Sequence, residues 1–277
     1  MWIGACSAQS VRRLLFWLTV ASFALVWVRL WLPWSLLGEA TWPEGALLAL
    51  AAAATLASLA CQLPVQNVLL AAVAISSVGS LGLVFGRRVG IPVGPSHYAA
   101  GFGQELPGCL PWPLPVIWLV AALNARGVAR LIVRPERGTP NCGFWVIGLS
   151  TLLLALFGFG LDEFATQARH YWFWAAGDDH AEWRGAPLTG LVCWAALGSL
   201  VLVLAAPALL NKRPAPMPAD YQPLMLWLLA SVLFATGAAT RRLWGGTVGM
   251  ALSGLVVLVL GLRSGGKRRV GSAVSSQ

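Results

Sequence analysis

Six of the ten acidic residues and all three histidines fall in two polar stretches, residues 86–111 and 162–187. The acids are Glu105, Asp162, Glu163, Asp178, Asp179 and Glu182, and the histidines are His97, His170 and His180. Rings crowd the same stretches: Tyr98, Phe102, Tyr171, Trp172, Phe173, Trp174 and Trp183. A carboxyl group set among aromatic faces can donate a proton and shelter a cation. Such a setting suits a greasy substrate. Asp162 and Glu163 are the sharpest pair, because they follow the apolar run 143–161 with no polar lead-in. Acids near a membrane boundary are costly and point to function, although the end of a span in water would also place them there. His170, His180, Asp178 and Asp179 are ligand types without a ligand spacing, so no metal is assigned. His97 and Tyr98 sit in a Gly/Pro-rich turn and can orient a substrate or a neighbouring side chain. The run 171–174 (YWFW) is denser than an interfacial belt requires and can line a cavity or face a cation.

The elements that must hold these residues are written in the composition. Of the 277 residues, 58% are hydrophobic and 10% charged, with a mean hydropathy of +0.73. Ordinary soluble domains carry about 25% charged residues, so a soluble globule, a disordered chain and a fibre are excluded. A spanning helix needs about 20 mainly apolar residues. Eight runs qualify: 14–33, 45–63, 66–85, 112–133, 143–161, 188–210, 223–240 and 243–262. The expected fold is therefore all-α, a polytopic membrane bundle of seven to eight spans. Residues 1–262 form one transmembrane unit in this reading, and 263–277 a basic, disordered tail. Runs two and three, separated by 63–65 (LPV), read as a tight antiparallel hairpin. Segment 211–222 reads as a Pro-rich linker. The first run follows Arg12 and Arg13 but is too long for a signal-peptide core and lacks an A-x-A-like site, so it reads as a retained span.

The formal net charge of +9 becomes a topology signal. With both termini cytoplasmic, 12 basic residues face the cytoplasm and 6 the other side, as the positive-inside rule expects. Arg29 falls inside the first span and can snorkel outward. Arg126, Arg130 and Arg134 share one helix face and read as a cytoplasmic end touching lipid phosphates. Nucleic-acid binding finds no fold support. No P-loop, Rossmann or G-x-S-x-G pattern occurs. The five cysteines are widely spaced, with no CxxC, which argues against a zinc site or a disulfide framework.

Three stretches carry a resemblance. Residues 86–98 (GRRVGIPVGPSHY) are similar to a "G-x-x-x-G-x-P-F-G-x-Y-x-Y" segment. Residues 109–118 (CLPWPLPVIW) resemble "G-V-P-x-x-V-P-x-x-W" and end at Trp118. Asp162, then 171–174, then 183–190 (WRGAPLTG) and Trp194 resemble "D-P…Y-W-x-W…Y-x-G-V-P-x-x-N-x-x-G-W". The order and spacing, over about 75–210, resemble the integral-membrane carotenoid biosynthesis proteins, which include hydratases of acyclic carotenoids. The chain departs from that pattern at 81–84 (LGLV), where a Glu is usual, at Glu163 in place of Pro, and at Gly190 in place of Asn.

The resemblance implies water addition to a terminal C=C of an acyclic carotenoid end group, without a cofactor. Asp162 or Glu163 would supply the proton. Tyr98, Trp118, Tyr171, Trp172, Trp174, Trp183 and Trp194 would line the substrate site, with Trp172 and Trp174 stabilising the cation. His97, His170, Asp178 or Asp179 would handle the water. The implied surroundings are the bacterial cytoplasmic membrane, an isoprenoid or carotenoid substrate, and other membrane enzymes of a pigment pathway. The departures favour a competing reading, a non-catalytic pigment or lipid carrier or a subunit of a membrane complex.

Overall fold

The computed structural model describes residues 2–32, 42–89, 96–106, 110–136, 139–174, 182–183, 186–210 and 219–266. Among the described residues, eight helices dominate: α1 (Trp2–Val28), α2 (Trp42–Ala60), α3 (Val65–Val89), α4 (Pro113–Ile132), α5 (Cys142–Glu163), α6 (Leu188–Leu209), α7 (Gln222–Thr240) and α8 (Trp244–Gly266). Each is long and apolar enough to cross a membrane. The chain is an all-α integral-membrane protein, built on the eight runs expected of it. The ends shift by up to about four residues in α2, α3 and α5, and two helices differ in ways that matter. Helix α1 begins at Trp2 and stops at Val28, and α8 carries on through Arg263 to Gly266 before the expected tail.

Helix α4 is the axis of the bundle. It packs against α2, α3, α5, α7 and α8, and Ala122, Ala125, Val128 and Ala129 are fully enclosed. Pro113 starts it at a position where a missing N–H costs nothing. Small residues let neighbours close in, as lipid-embedded helices require. A Cβ on Gly127 would lie 2.5 Å from Pro223 of α7. The outer helices turn Leu69, Leu70, Val73 and Leu255 outward, more than half exposed, a surface suited to hydrocarbon and ill-suited to water. The expected α2–α3 hairpin is only a short connection. Helix α2 packs on α1 and α4 while α3 packs on α6 and α4, so the two diverge.

The two ends of the bundle carry separate polar networks. At one end, Asp220 accepts from Arg12 Nη2 (2.5 Å), Ser58 Oγ (2.7 Å) and Gln62 Nε2 (2.8 Å). This ties α1 and α2 to the start of α7. The part of the expected linker that is described, 219–222, is thus anchored; 211–218 lie outside the described residues. Arg126 and Arg134 also turn inward. Arg126 donates to the carbonyl of Leu209 at 2.7 Å and Arg134 to that of Gly265 at 3.3 Å. They cap the carbonyl ends of α6 and α8, where a positive charge is favoured. Among the described residues, the opposite end holds four short strands: β1 (Ser96–Tyr98), β2 (Trp172–Trp174), β3 (Glu182–Trp183) and β4 (Ala186–Pro187).

Candidate functional site

The two polar loops meet in a ribbon. Strands β1 and β2 pair antiparallel, with Ser96 opposite Trp174, His97 opposite Phe173 and Tyr98 opposite Trp172. Side chains alternate across a strand, so the ribbon has two unlike faces. Ser96, Tyr98, Trp172 and Trp174 point into the bundle, while His97 and Phe173 are exposed. The route from α5 into β2 is unusual. Residues Phe164–Ala168 form one wide π turn, in which the Arg169 N–H bonds the Phe164 carbonyl at 3.0 Å. His170 then takes a φ of 55°, the left-handed conformation that breaks the helix and starts the strand.

Beneath the ribbon lies Asp162, buried at 7% exposure. Its carboxyl group shares a cavity of about 30 Å³ with Tyr98, Trp118, Trp172, Trp174, Trp194 and Cys193. Trp118 and Trp194 stack with centroids 4.4 Å apart. Glycines seat that pair: a Cβ on Gly79 would lie 2.6 Å from Trp118, and one on Gly158 would collide with Trp194. The indoles of Trp194 and Trp172 reach the carboxyl group, although Trp172 Nε1 falls short of full hydrogen-bond geometry. Trp118 Nε1 and Trp174 Nε1 are buried with no acceptor. Buried donors of this kind call for an explanation. A single water needs about 10–15 Å³ and two to four polar partners. The box therefore fits one or two waters, held by a carboxyl group and indole N–H donors. Burial pushes the Tyr98 phenol above its ordinary value, so it stays a neutral O–H. Arg87 lies over its ring at 5.5 Å.

The structure gathers part of the expected set. Asp162, Tyr98, Trp118, Trp172, Trp174 and Trp194 converge. Glu163 does not join them; it is buried against α8, where a side chain on Gly246 would strike its carboxylate. A helix turns each successive residue by about 100°, so adjacent acids must face different neighbours. His97 is carried to the outer face by strand parity. His170 is exposed, stacked on Phe173 at 5.9 Å, and serves the backbone turn. Trp183 lies in β3, paired with Ala186 of β4. Asp178 and Asp179 lie outside the described residues. Gly190 sits beside the acid: a Cβ there would be 3.7 Å from Asp162 Oδ2.

A second, larger cavity was not expected. It holds about 370 Å³ between α1, α2, α4 and α7, and Tyr171 lines it rather than the Asp162 box. Its charged group is Glu44, at the start of α2. Glu44 accepts from Arg29 Nη1 at 3.4 Å and forms an ion pair with Arg169. Arg29 does not snorkel; it is 4% exposed. A charge inside the first apolar run was the one sequence signal for this cluster. Burial beside Glu44 raises the Tyr171 phenol, which stays protonated. The ring of Phe102 divides the two cavities. It stacks on Tyr171 at 4.9 Å and meets Trp172 at 5.4 Å, edge on.

A membrane bundle whose loops close over a carboxyl group among tryptophans is a setting suited to apolar molecules. The family model described as "Carotenoid biosynthesis protein" matches residues 44–261, well beyond the motif-bearing 75–210. The chain belongs to the carotenoid biosynthesis protein family, and its role lies in carotenoid biosynthesis. No curated protein and no solved structure matches it.

Proposed function

We propose that this protein adds water across a terminal C=C of an acyclic carotenoid end group, with Asp162 as the proton donor. One observation carries the reading: a buried carboxyl group, tryptophan faces and a water-sized space share one box. The acid form of Asp162 gives its proton to the terminal alkene, leaving a tertiary carbocation. The faces of Trp172, Trp174 and the Trp118–Trp194 stack stabilise that cation. The water held by the indole N–H groups adds its oxygen to the cationic carbon. It then loses a proton to the Asp162 carboxylate, so one side chain opens and closes the cycle. Atoms balance as alkene plus water to tertiary alcohol.

The box is too small for an end group as it stands. The β1–β2 ribbon is three residues long on each strand, marginal by itself, and lifts to admit the chain end. Residues 1–262 act as one transmembrane unit in the bacterial cytoplasmic membrane, with both termini cytoplasmic. The chain-sized cavity favours a second reading, a carrier without chemistry. Expression of the chain in a host that makes acyclic carotenoids separates the two. A pigment heavier by one water, lost in Asp162→Asn and kept in Glu163→Gln, is the expected result. Unchanged pigments across several acyclic substrates would point to the carrier.

A further inference from the structure

The 370 Å³ cavity lies within the range of small-molecule sites, about 300–1,000 Å³. Its walls come from helices running side by side. Thr19 to Val26 of α1, Glu44 to Ala51 of α2 and Leu226 to Phe234 of α7 all contribute. At 1.5 Å per residue these stretches are about 10–12 Å long. The cavity is therefore elongated along the helices, and its charged group, Glu44, sits at one end. The rest is almost wholly apolar. An extended hydrocarbon chain with one polar terminus matches that shape.

The chemistry at Glu44 selects the terminus. A carboxylate has about four acceptor positions. Arg29 and Arg169 engage its two oxygens from behind, and neither guanidinium lines the cavity. The face toward the cavity is an acceptor, matched to an O–H donor. Tyr171 lines the same end and adds a neutral phenol. A diphosphate would meet the carboxylate first, and an ammonium head would meet a cluster of two guanidiniums and one carboxylate. A plain hydrocarbon would leave the cavity-facing acceptor positions of Glu44 unused, its two oxygens held by Arg29 and Arg169 alone.

We propose that this cavity is a binding site for an isoprenoid alcohol, an extended apolar chain whose terminal hydroxyl donates to Glu44. The site is separate from the Asp162 box and does not depend on hydration.

The test uses the purified full chain in nanodiscs with tritiated geranylgeraniol as probe. Squalene and geranylgeranyl diphosphate serve as competitors. The expected result is saturable binding of one alcohol per chain, with each competitor at least tenfold weaker. Ala51→Phe fills the cavity and leaves the ion cluster intact; it should abolish retention. Glu44→Gln should weaken the alcohol by about tenfold, the scale of a charge-assisted hydrogen bond. Asp162→Asn should bind as the unaltered chain does, which keeps this result apart from the hydration assay. Equal binding of squalene, tighter binding of the diphosphate, or retention unaffected by Ala51→Phe would each overturn the proposal. If Glu44→Gln fails to fold, the competitor series and Ala51→Phe still decide.

Discussion

Asp162 is a buried acid and Glu44 a half-buried one, and their neighbours differ in kind. Among the described residues, Asp162 meets rings, indole N–H groups and small polar side chains. Glu44 is gripped by Arg29 and Arg169. A carboxyl group among neutral groups can part with a proton and recover it without breaking an ion pair. One clamped by two guanidiniums is a fixed acceptor, and its removal strands buried charge. The first arrangement suits reaction and the second suits anchoring. The Phe102 ring, set between Tyr171 and Trp172, keeps them in separate chambers.

The contrast is sharpest in activity. Asp162→Asn should lower the yield of hydrated pigment by at least about a hundredfold, the usual scale for removing a general acid. Glu44→Gln should change it by less than about tenfold. Pigment chromatography of cells carrying each variant checks both, and the reverse order would exchange the two roles. In stability the ranking inverts. Glu44→Ala takes the shared partner from two buried guanidiniums and should cost about 3–5 kcal/mol. Asp162→Asn should leave the melting temperature in detergent nearly unchanged. A smaller effect concerns the tryptophan stack. Gly158→Ala drives a methyl group into Trp194, with an overpacking cost of about 1–3 kcal/mol and a disordered box, seen as reduced near-UV tryptophan dichroism.

The smallest effect separates the chambers by pH. Tyr98 and Tyr171 have raised phenol pKa values, so the folded state holds their protons longer than the unfolded chain does. Their contribution is complete below the ordinary tyrosine value, about pH 10. It is lost as pH rises beyond that. Tyr98→Phe should flatten the alkaline decline in thermal stability on the box side, and Tyr171→Phe on the cavity side. An unchanged decline in both variants would show that the phenols are not buried as described.

The spans were legible because lipid demands uninterrupted apolar runs, and no other class of element competes for them. The pairing of the two polar loops was legible in part, since the Tyr98 and 171–174 motifs belong to one pattern. Strand parity was the overlooked guide. Once Ser96 to Tyr98 is a strand, His97 must face away from Tyr98. The Glu44 cluster was not legible. Arg29, Glu44 and Arg169 come from three distant segments, and no local periodicity links them. The α2–α3 divergence was hidden for the same reason. A short loop limits the distance between helix ends but not the partners along their lengths.

The π turn at Phe164–Ala168 works as a phase shifter between two reading frames. A helix that continued without it would bring every later residue around by about 100°. Arg169 would then turn away from Glu44, and Trp172 from Asp162. Loss of one codon inside this turn would uncouple both chambers at once, whereas α8 contributes no lining residue to either.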